Sequence, residues 1–401
     1  MPWKETCVMD EKMKFIVACL AEEEAMAEIC RRFEISRKTG YLWLTRYREN
    51  GAEALSERSR APHHHPNGIC DELAKVLLQA RATHPTWGPR KLLAWLRARH
   101  HGTKACGAKS TCAAWPAPST VGDLLRRHGL VAPRRRVRRA CPNAAPLVQT
   151  EGSNSLWCAD FKGWFRTGDG QRCSPLTISD AHSRFLLRCQ GLGGPTGHEH
   201  VRPLFEATFR EYGLPRAIRT DNGPPFATLG LGGLSELSVW WIRLGIHPER
   251  IAPGHPEQNS RHERMHRTLK AETASPPADS LRAQQRAFDG FRREFNEERP
   301  HEALGQRPPG SCYEPSPREL PARLAEVEYP DEWAVRAVRG CGQMKWGGRD
   351  VRVTAALVGE RVGLEPVEGG LWRVHFSHVL LGVFDERALR VRPLKKGEET
   401  T

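Results

Sequence analysis

SLWCADFKG, residues 155–163, is an apolar run that closes on a carboxylate, Asp160. Its length and apolar character predict a short buried strand. Four similar runs follow: SPLTISD (174–180), RFLLRCQ (184–190), RAIRTD (216–221) and GIHPERIAP (245–253). Helical spacing marks HEHVRPLFEATFREYG (198–213), LSELSVWWIRLG (234–245), EQNSRHERMHRTLKAE (257–272) and DSLRAQQRAFDGFRREFNEERP (279–300). Three strands, a helix, then strand, helix, strand, helix predict an α/β domain with a mixed sheet over residues 151–304.

Outward from this domain the chain changes character on both sides. Residues 1–57 read as helix, tight turn and basic helix, with Ser36 as the N-cap of the last. That is a helix-turn-helix arrangement, which offers Arg37, Lys38 and Thr39 to a major groove. A plain helical hairpin with a solvated basic face fits this segment equally well. Residues 58–69 form a linker containing His63, His64 and His65, with no second ligand pair at zinc spacing. Residues 70–133 predict three more helices, a second helix-turn-helix-like domain, with Ser119 or Thr120 as a cap. His100, His101, Cys106 and Cys112 cluster there without the spacing of a zinc site.

Arg134, Arg135, Arg136, Arg138 and Arg139 lie in a basic arm, 134–150, which can track phosphates or lie in a minor groove. A solvated linker fits that run too. Beyond the α/β domain, residues 305–332 are Pro-rich and predicted extended. Residues 333–395 alternate short β-type runs with Gly turns and predict a small β-barrel.

Composition agrees with a multidomain soluble chain. The 401 residues carry 61 Lys and Arg against 47 Asp and Glu, a net charge of +14. Such a surplus favours a polyanionic partner. No apolar run is long enough to span a bilayer. The twelve cysteines form no Cys-x-x-Cys pair and predict free thiols in a reducing cytoplasm.

Asp160 and Asp221 each end a strand-like run, and Glu263 sits in a helical stretch. Strand ends of α/β sheets are where ligand sites form. Three converging carboxylates would repel one another unless a divalent cation sat between them, and oxygen ligands select Mg²⁺ or Mn²⁺. Each residue taken alone reads more readily as a solvated turn or helix charge.

The surrounding words carry more. Leu156-Trp157-Cys158-Ala159-Asp160-Phe161-Lys162-Gly163, Arg219-Thr220-Asp221-Asn222-Gly223-Pro224-Pro225-Phe226 and Gly254-His255-Pro256-Glu257-Gln258-Asn259-Ser260-Arg261-His262-Glu263-Arg264 resemble the catalytic core of retroviral-type integrases and bacterial insertion-sequence transposases. Leu176 to Arg184, Asn296 to Leu304, Met1 to Glu5 and Ser36 to Tyr41 resemble the same transposases, so the resemblance spans residues 1 to about 315. It implies a ribonuclease-H-like integrase core between N-terminal helix-turn-helix units and the C-terminal barrel. It implies Asp160, Asp221 and Glu263 as catalytic residues and metal ligands, with two Mg²⁺ or Mn²⁺ ions per site. It also implies cleavage at element ends, strand transfer of the 3′-hydroxyl into target DNA, and a homo-oligomer on paired ends. The partner would be double-stranded DNA, with no membrane, in a bacterial, nucleoid-associated setting. A catalytically silent DNA-binding relative is the alternative.

Glu257 lies 36 positions after Asp221 and Glu263 lies 42 after it. The family's glutamate stands seven positions after the proline, which selects Glu263 over Glu257. On a helix, Asn259, His266, Arg267 and Lys270 share the Glu263 face, since seven residues drift by only about 20°. Asn259, Arg267 and Lys270 are therefore expected on DNA. So is Lys162, two residues past Asp160 on one strand face. Ser260 departs from the family's usual Gly, and altered loop mobility is expected. Asp180 reads as a turn residue with a supporting metal role open, His255 as a helix-start or DNA contact, and Trp240 and Trp241 as core.

Overall fold

The computed structural model describes residues 7–57, 69–99, 115–131, 150–228, 230–251 and 260–394. The chain forms two compact units, Met1–Gly68 and Ile69–Thr401. Residues 58–68, 100–114 and 132–149 lie outside the described residues, and with them the triple histidine, His100, His101, Cys106, Cys112 and the Arg134–Arg139 arm.

The first unit has three helices, α1 (Val8–Leu20), α2 (Met26–Arg32) and α3 (Arg37–Asn50). Their core is Phe15, Ile16, Ile29, Cys30, Leu44 and Leu55. Ser36 caps α3 as expected, accepting the Thr39 amide at 3.1 Å. Gly40 sits where α3 presses on the other two helices. A Cβ there would stand 2.6 Å from Cys30 Sγ and 3.1 Å from Phe15 Cζ.

The second unit begins with α4 (Asp71–Thr83), α5 (Pro89–Arg99) and α6 (Pro118–Arg127), closed around Leu73, Leu77, Trp87, Leu92, Leu93, Val121 and Leu125. Neither Ser119 nor Thr120 caps α6. Its N-cap is Ala117, without a side-chain bond, and Pro118 opens the first turn. A proline there has its φ pre-set for a helix and lacks an N–H that would need capping.

The α/β domain holds β1 (Leu156–Phe161), β2 (Phe165–Arg166), β3 (Arg172–Asp180), β4 (Leu186–Leu192), α7 (His198–Tyr212), β5 (Ala217–Thr220), α8 (Glu236–Arg243), β6 (His247–Arg250), α9 (Ser260–Thr273) and α10 (Leu281–Glu297). β4, β3 and β1 pair antiparallel, and β1, β5 and β6 pair parallel, which makes the mixed sheet. The short β2 pairs with the opening residues of β3. Neighbours on β4 part to two clusters. Leu187 joins Trp157, Ile178, Phe205, Phe209 and Trp241 under α7 and α8. Leu186 joins Met265, Leu269, Phe288, Phe291 and Phe295 under α9 and α10. Trp240 and Trp241 are core, as expected.

The α4–α6 unit docks on this domain. His84 Nδ1 donates to Glu294 Oε1 at 3.1 Å, and Arg99 reaches Glu298 at 2.9 Å. The Pro-rich segment is extended and strapped across the sheet domain. Arg318 donates to the carbonyls of Pro215, Leu244 and Gly245, and Tyr313 stacks on Phe185.

The C-terminal region has β7 (Ala334–Ala337), β8 (Gln343–Trp346), β9 (Arg349–Arg352), β10 (Arg361–Val367), β11 (Leu371–Phe376), β12 (Val379–Asp385) and β13 (Arg390–Arg392). The expected closed barrel is not what these strands make. They form an open five-stranded sheet, in the order β13-β12-β11-β10-β7, with a separate β8–β9 hairpin. Its edge strands β7 and β13 have four and three residues, too short to carry a closing ladder. Leu234, Val239 and Ile242, from α8 and the loop before it, complete its core.

Eight described cysteines are free, while Cys70 is disulfide-bonded, so the expectation of free thiols fails there. Among the described residues no helix is long and apolar enough to cross a membrane.

Candidate active site at the carboxyl ends of two parallel strands

Cys158 on β1 pairs with Arg219 on β5. Asp160 and Asp221 each follow two positions later, so the parallel register delivers both carboxylates to the same end of the sheet. α9 then carries Glu263 in its first turn. Asp160 senses both other acids. Its carboxyl is pushed up to about 7, first by burial and then by the charge of Asp221, with Glu263 adding a smaller push. Burial also raises Asp221, against the pull of the Gly223 amide. Asp221 Oδ1 is buried without a hydrogen-bond partner. A buried carboxylate oxygen with nothing donating to it is a fit for a cation.

The three acids do not close into a ready cage. Glu263 is solvent-exposed. Among the described residues no group of three His, Cys, Asp or Glu side chains stands at metal-holding distance. Glu257, Asn259 and His255 lie outside the described residues.

α9 is two-faced. His262, Met265, His266, Leu269 and Thr273 are buried, while Glu263, Arg267 and Lys270 are exposed. His266 therefore leaves the Glu263 face to which sequence spacing assigned it. Three residues along a helix turn about 300°, which puts His266 at the edge of that face, and packing takes it inward. Sequence reasoning passed over what it meets there. Thr177 on β3 is the rung partner of Asp160. Its hydroxyl lies 2.6 Å from His266 Nε2, 2.7 Å from His262 Nε2 and 3.2 Å from the Asp160 carbonyl oxygen. Ser179 Oγ lies 2.9 Å from His262 Nδ1. Burial holds His262 down at about 3 and His266 at about 2, so both rings are neutral. The helical spacing of His262 and His266 with Met265 and Leu269 was the one signal of this inward face.

Lys162 and Lys270 come together. They line one small cavity with Trp164, Phe165 and Leu269. Trp164 is 56% exposed, with the guanidinium of Arg172 at 5.1 Å and that of Arg166 at 5.9 Å from its ring. Arg267 stands exposed one turn from Glu263. In the first unit Arg37 and Lys38 are exposed at the start of α3, while the Thr39 hydroxyl is engaged by Ser36 at 2.8 Å. Asp180 is the last residue of β3, not the turn residue expected, and it caps the turn that follows. Its buried carboxylate accepts from the Asn154 and Ser183 amides and the Ser183 hydroxyl at 2.6–2.8 Å. It pairs with Trp157, three rungs from Asp160, so a supporting metal role has no geometry. A larger groove of about 740 Å³ runs beside the Pro224–Pro225 turn, between the start of α7 and Arg352–Ala356.

Four segments match family models: a helix-turn-helix domain over residues 11–63, a homeodomain-like domain over 39–116, an integrase core domain over 244–309, and the C-terminal domain of IS481 family transposases over 333–391. The chain is 31% identical over 181 residues to the uncharacterized 39.2 kDa protein of insertion element IS476 from Xanthomonas euvesicatoria, covering 45% of this chain and 50% of that one. It is 29% identical over 236 residues to the transposase InsD of insertion element IS2 from Escherichia coli, covering 56% and 72%. A 31.7 kDa protein of insertion element IS407 from Burkholderia multivorans is 29% identical, with 65% of its length matched. The match thus spans 50% and 65% of the two insertion-element proteins and 72% of the transposase. A solved structure of the HTLV-2 integrase catalytic core domain in complex with magnesium aligns at 16% identity and a TM-score of 0.32, covering 41% of this chain and all of that one.

Proposed function

We propose that this chain, which carries the helix-turn-helix, integrase-core and C-terminal segments of insertion-sequence transposases, is a DNA transposase. It cuts at the ends of a mobile element and joins the freed 3′-hydroxyl to target DNA. The observation that supports this reading best is the parallel register that sets Asp160 and Asp221 at one sheet end, within electrostatic reach of Glu263.

Asp160, Asp221 and Glu263 would hold two Mg²⁺ or Mn²⁺ ions, and the unpartnered Asp221 Oδ1 is the atom best prepared for one. Bound there, such ions activate water or a 3′-hydroxyl and stabilise the leaving oxygen. The chain's own part is to bring DNA to that point. Lys162 and Lys270, which line one cavity, would hold phosphate oxygens beside the acids, with Arg267 between Glu263 and Lys270 along α9. Trp164 with Arg166 and Arg172 extends this basic, aromatic surface. Arg37 and Lys38 read the element end from the first unit, Thr39 spending its hydroxyl on the cap. Asn259 and the Arg134–Arg139 arm complete the proposed DNA contacts. Two ends must be paired, so a homo-oligomer is part of the proposal, as is a bacterial, nucleoid-associated setting.

The alternative, a DNA-binding relative that does not cut, draws on one observation: Glu263 stands exposed and the three acids are not closed. The two readings part on a labelled duplex carrying the candidate element end, with and without Mg²⁺ or Mn²⁺, run beside Asp221→Asn. Metal-dependent cleavage lost in the variant supports the transposase. Tight binding without a cut, on paired ends as well, overturns it in favour of the silent relative.

A further inference from the structure

Thr177 has one proton to give and two lone pairs, and three polar neighbours compete for them. Which neighbour takes the proton decides the state of His266, and His266 faces Asp160. Its Nδ1 lies 3.6 Å from Asp160 Oδ2, about 0.7 Å beyond the length of a charge-assisted hydrogen bond.

We propose that His266 is a positioning residue for Asp160, with Thr177, His262 and Ser179 fixing the tautomer that lets it serve. This rests on the reading of Asp160 as a cation ligand. The Phe161 amide also donates to Asp160, and of the two neutral His266 tautomers only the one with its N–H at Nδ1 attracts the ionised carboxylate, which leaves His266 Nε2 as an acceptor. The Thr177 O–H must then point to His266 Nε2, at 2.6 Å. That frees Thr177 lone pairs for the N–H on His262 Nε2, at 2.7 Å. His262 Nδ1 is then bare and takes the Ser179 O–H, at 2.9 Å. One direction of donation, from Ser179 through His262, Thr177 and His266 to Asp160, uses every proton once.

The opposite setting is self-consistent but hostile to the carboxylate. If Thr177 donates instead to the Asp160 carbonyl, 3.2 Å away, both rings must donate to Thr177. The bare Nδ1 of His266 then faces Asp160 Oδ2, lone pair against charge. The Thr177 hydroxyl therefore has three settings, and only donation to His266 Nε2 steers Asp160, because donation to the Asp160 carbonyl or to His262 Nε2 leaves a bare His266 Nδ1 facing the carboxylate. Outer-shell partners of this kind orient ligands and set metal affinity. The network also ties α9, which carries Glu263, to β3, the rung partner of β1. One set of bonds thus fixes two of the three acids relative to each other.

Asparagine and glutamine separate the two nitrogens of His266. The Asn amide lies near the position of Nδ1 and can still serve Asp160. The Gln amide lies near that of Nε2 and serves only Thr177. The measurement is Mn²⁺ uptake by the full chain, read from the free-ion electron paramagnetic resonance signal, with thermal unfolding as a check on folding. His266→Gln and Thr177→Val should weaken uptake about 10–100-fold, while His266→Asn and Thr177→Ser stay within about 3-fold of wild type. Metal-dependent cleavage should follow the same order, with affinity for the element-end duplex unchanged. Folded His266→Gln that takes up Mn²⁺ like wild type overturns the proposal. So does His266→Asn that loses as much as His266→Gln, because the role would then be packing alone. Wild-type chain that takes up no Mn²⁺ overturns the cation reading, and this proposal with it.

Discussion

Arg243 Nη1 lies 2.8 Å from both carboxylate oxygens of Glu360. Its Nη2 also donates to the Ala325 carbonyl at 2.8 Å. One side chain at the end of α8 thus fastens the sheet domain to the strap and to the C-terminal sheet. The pair is mostly shielded, with side-chain exposures of 17% and 22%. Leu234, Val239 and Ile242 bury apolar surface in the same junction. The C-terminal sheet is therefore seated on α8 by both apolar and charged contacts.

Glu360→Ala should cost stability, because it leaves a shielded guanidinium without its counter-charge. The expected loss is about 1–3 kcal/mol, from the price of an unsatisfied charged donor. Glu360→Gln, which keeps one acceptor, should fall between. Denaturant unfolding of the full chain measures both. Equal midpoints for Glu360→Ala and wild type would show the junction to be held by its apolar contacts alone.

Gly40→Ala should disrupt the first unit without touching the second. The added methyl meets Cys30 Sγ at 2.6 Å, and Cys30 is 2% exposed with one side-chain torsion to move. Overpacking of this kind costs about 1–3 kcal/mol, a large share of a three-helix unit's stability. Limited proteolysis should release the first unit from the variant first. Binding to an element-end duplex should weaken while Mn²⁺ uptake stays. A variant digested like wild type would show that α3 has room the contact distances deny.

Three buried histidines should make the second unit acid-sensitive. Burial holds His262 and His301 at about 3 and His266 at about 2. The unfolded chain takes these protons near pH 6.5, and the folded chain refuses them. Their contribution is complete above pH 6.5 and is lost as pH falls toward 3. Asp160 works the other way, since a carboxyl at about 7 holds its proton better when folded. Its contribution is complete below about pH 4 and is lost as pH rises through 7, so over that range it offsets the slope of one histidine. Unfolding midpoints should still drop from pH 6.5 to pH 4. His301→Gln should flatten that slope by about 1.4 kcal/mol per pH unit. A midpoint constant over this range would mean that these rings are protonated in the fold.

What the sequence made legible follows from what is local. β1, β5 and the helix after them were readable from apolar runs ending on Asp160 and Asp221, because burial on both faces leaves a continuous apolar word. β2 has two residues, too few to show a pattern, and β8 buries only Met344 fully, so it carries no apolar run. The open C-terminal sheet was not readable either, since closure depends on how the edges β7 and β13 meet, a property of no single strand. Ser119 and Thr120 were offered as caps by their chemistry, but Pro118 decided where α6 starts. Thr177 looked like one more strand residue. Its role needs three elements, β1, β3 and α9, to meet at one hydroxyl.

Asp180→Asn should separate stability from metal. The buried carboxylate gathers two amides and a hydroxyl at the turn after β3, three rungs from Asp160. Losing its charge weakens three bonds at once, an expected cost on the order of 3 kcal/mol. Mn²⁺ uptake, measured well below the lowered midpoint, should equal that of wild type. Lost uptake in a folded variant would restore the metal role that the geometry denies.

Trp87→Ala should free the α4–α6 unit from the sheet domain. The indole is fully buried and stacks on His84 with centroids 3.8 Å apart and planes 11° from parallel. Arg299 lies over its ring at 5.8 Å, and Trp95 meets it edge-on at 6.1 Å. His84 in turn donates to Glu294 on α10, so the indole backs a part-buried polar contact between the two. Truncating a buried indole costs about 3–5 kcal/mol through lost contact and the cavity left behind. The ion pairs of Arg90 with Glu302 and Arg99 with Glu298 are exposed and cannot make this up. Hydrogen exchange should therefore rise in α4, α5 and along α10 while β1 and β5 keep their protection. If α10 keeps its protection as well, the dock does not depend on the indole, and the apolar face of α5 must hold it without help.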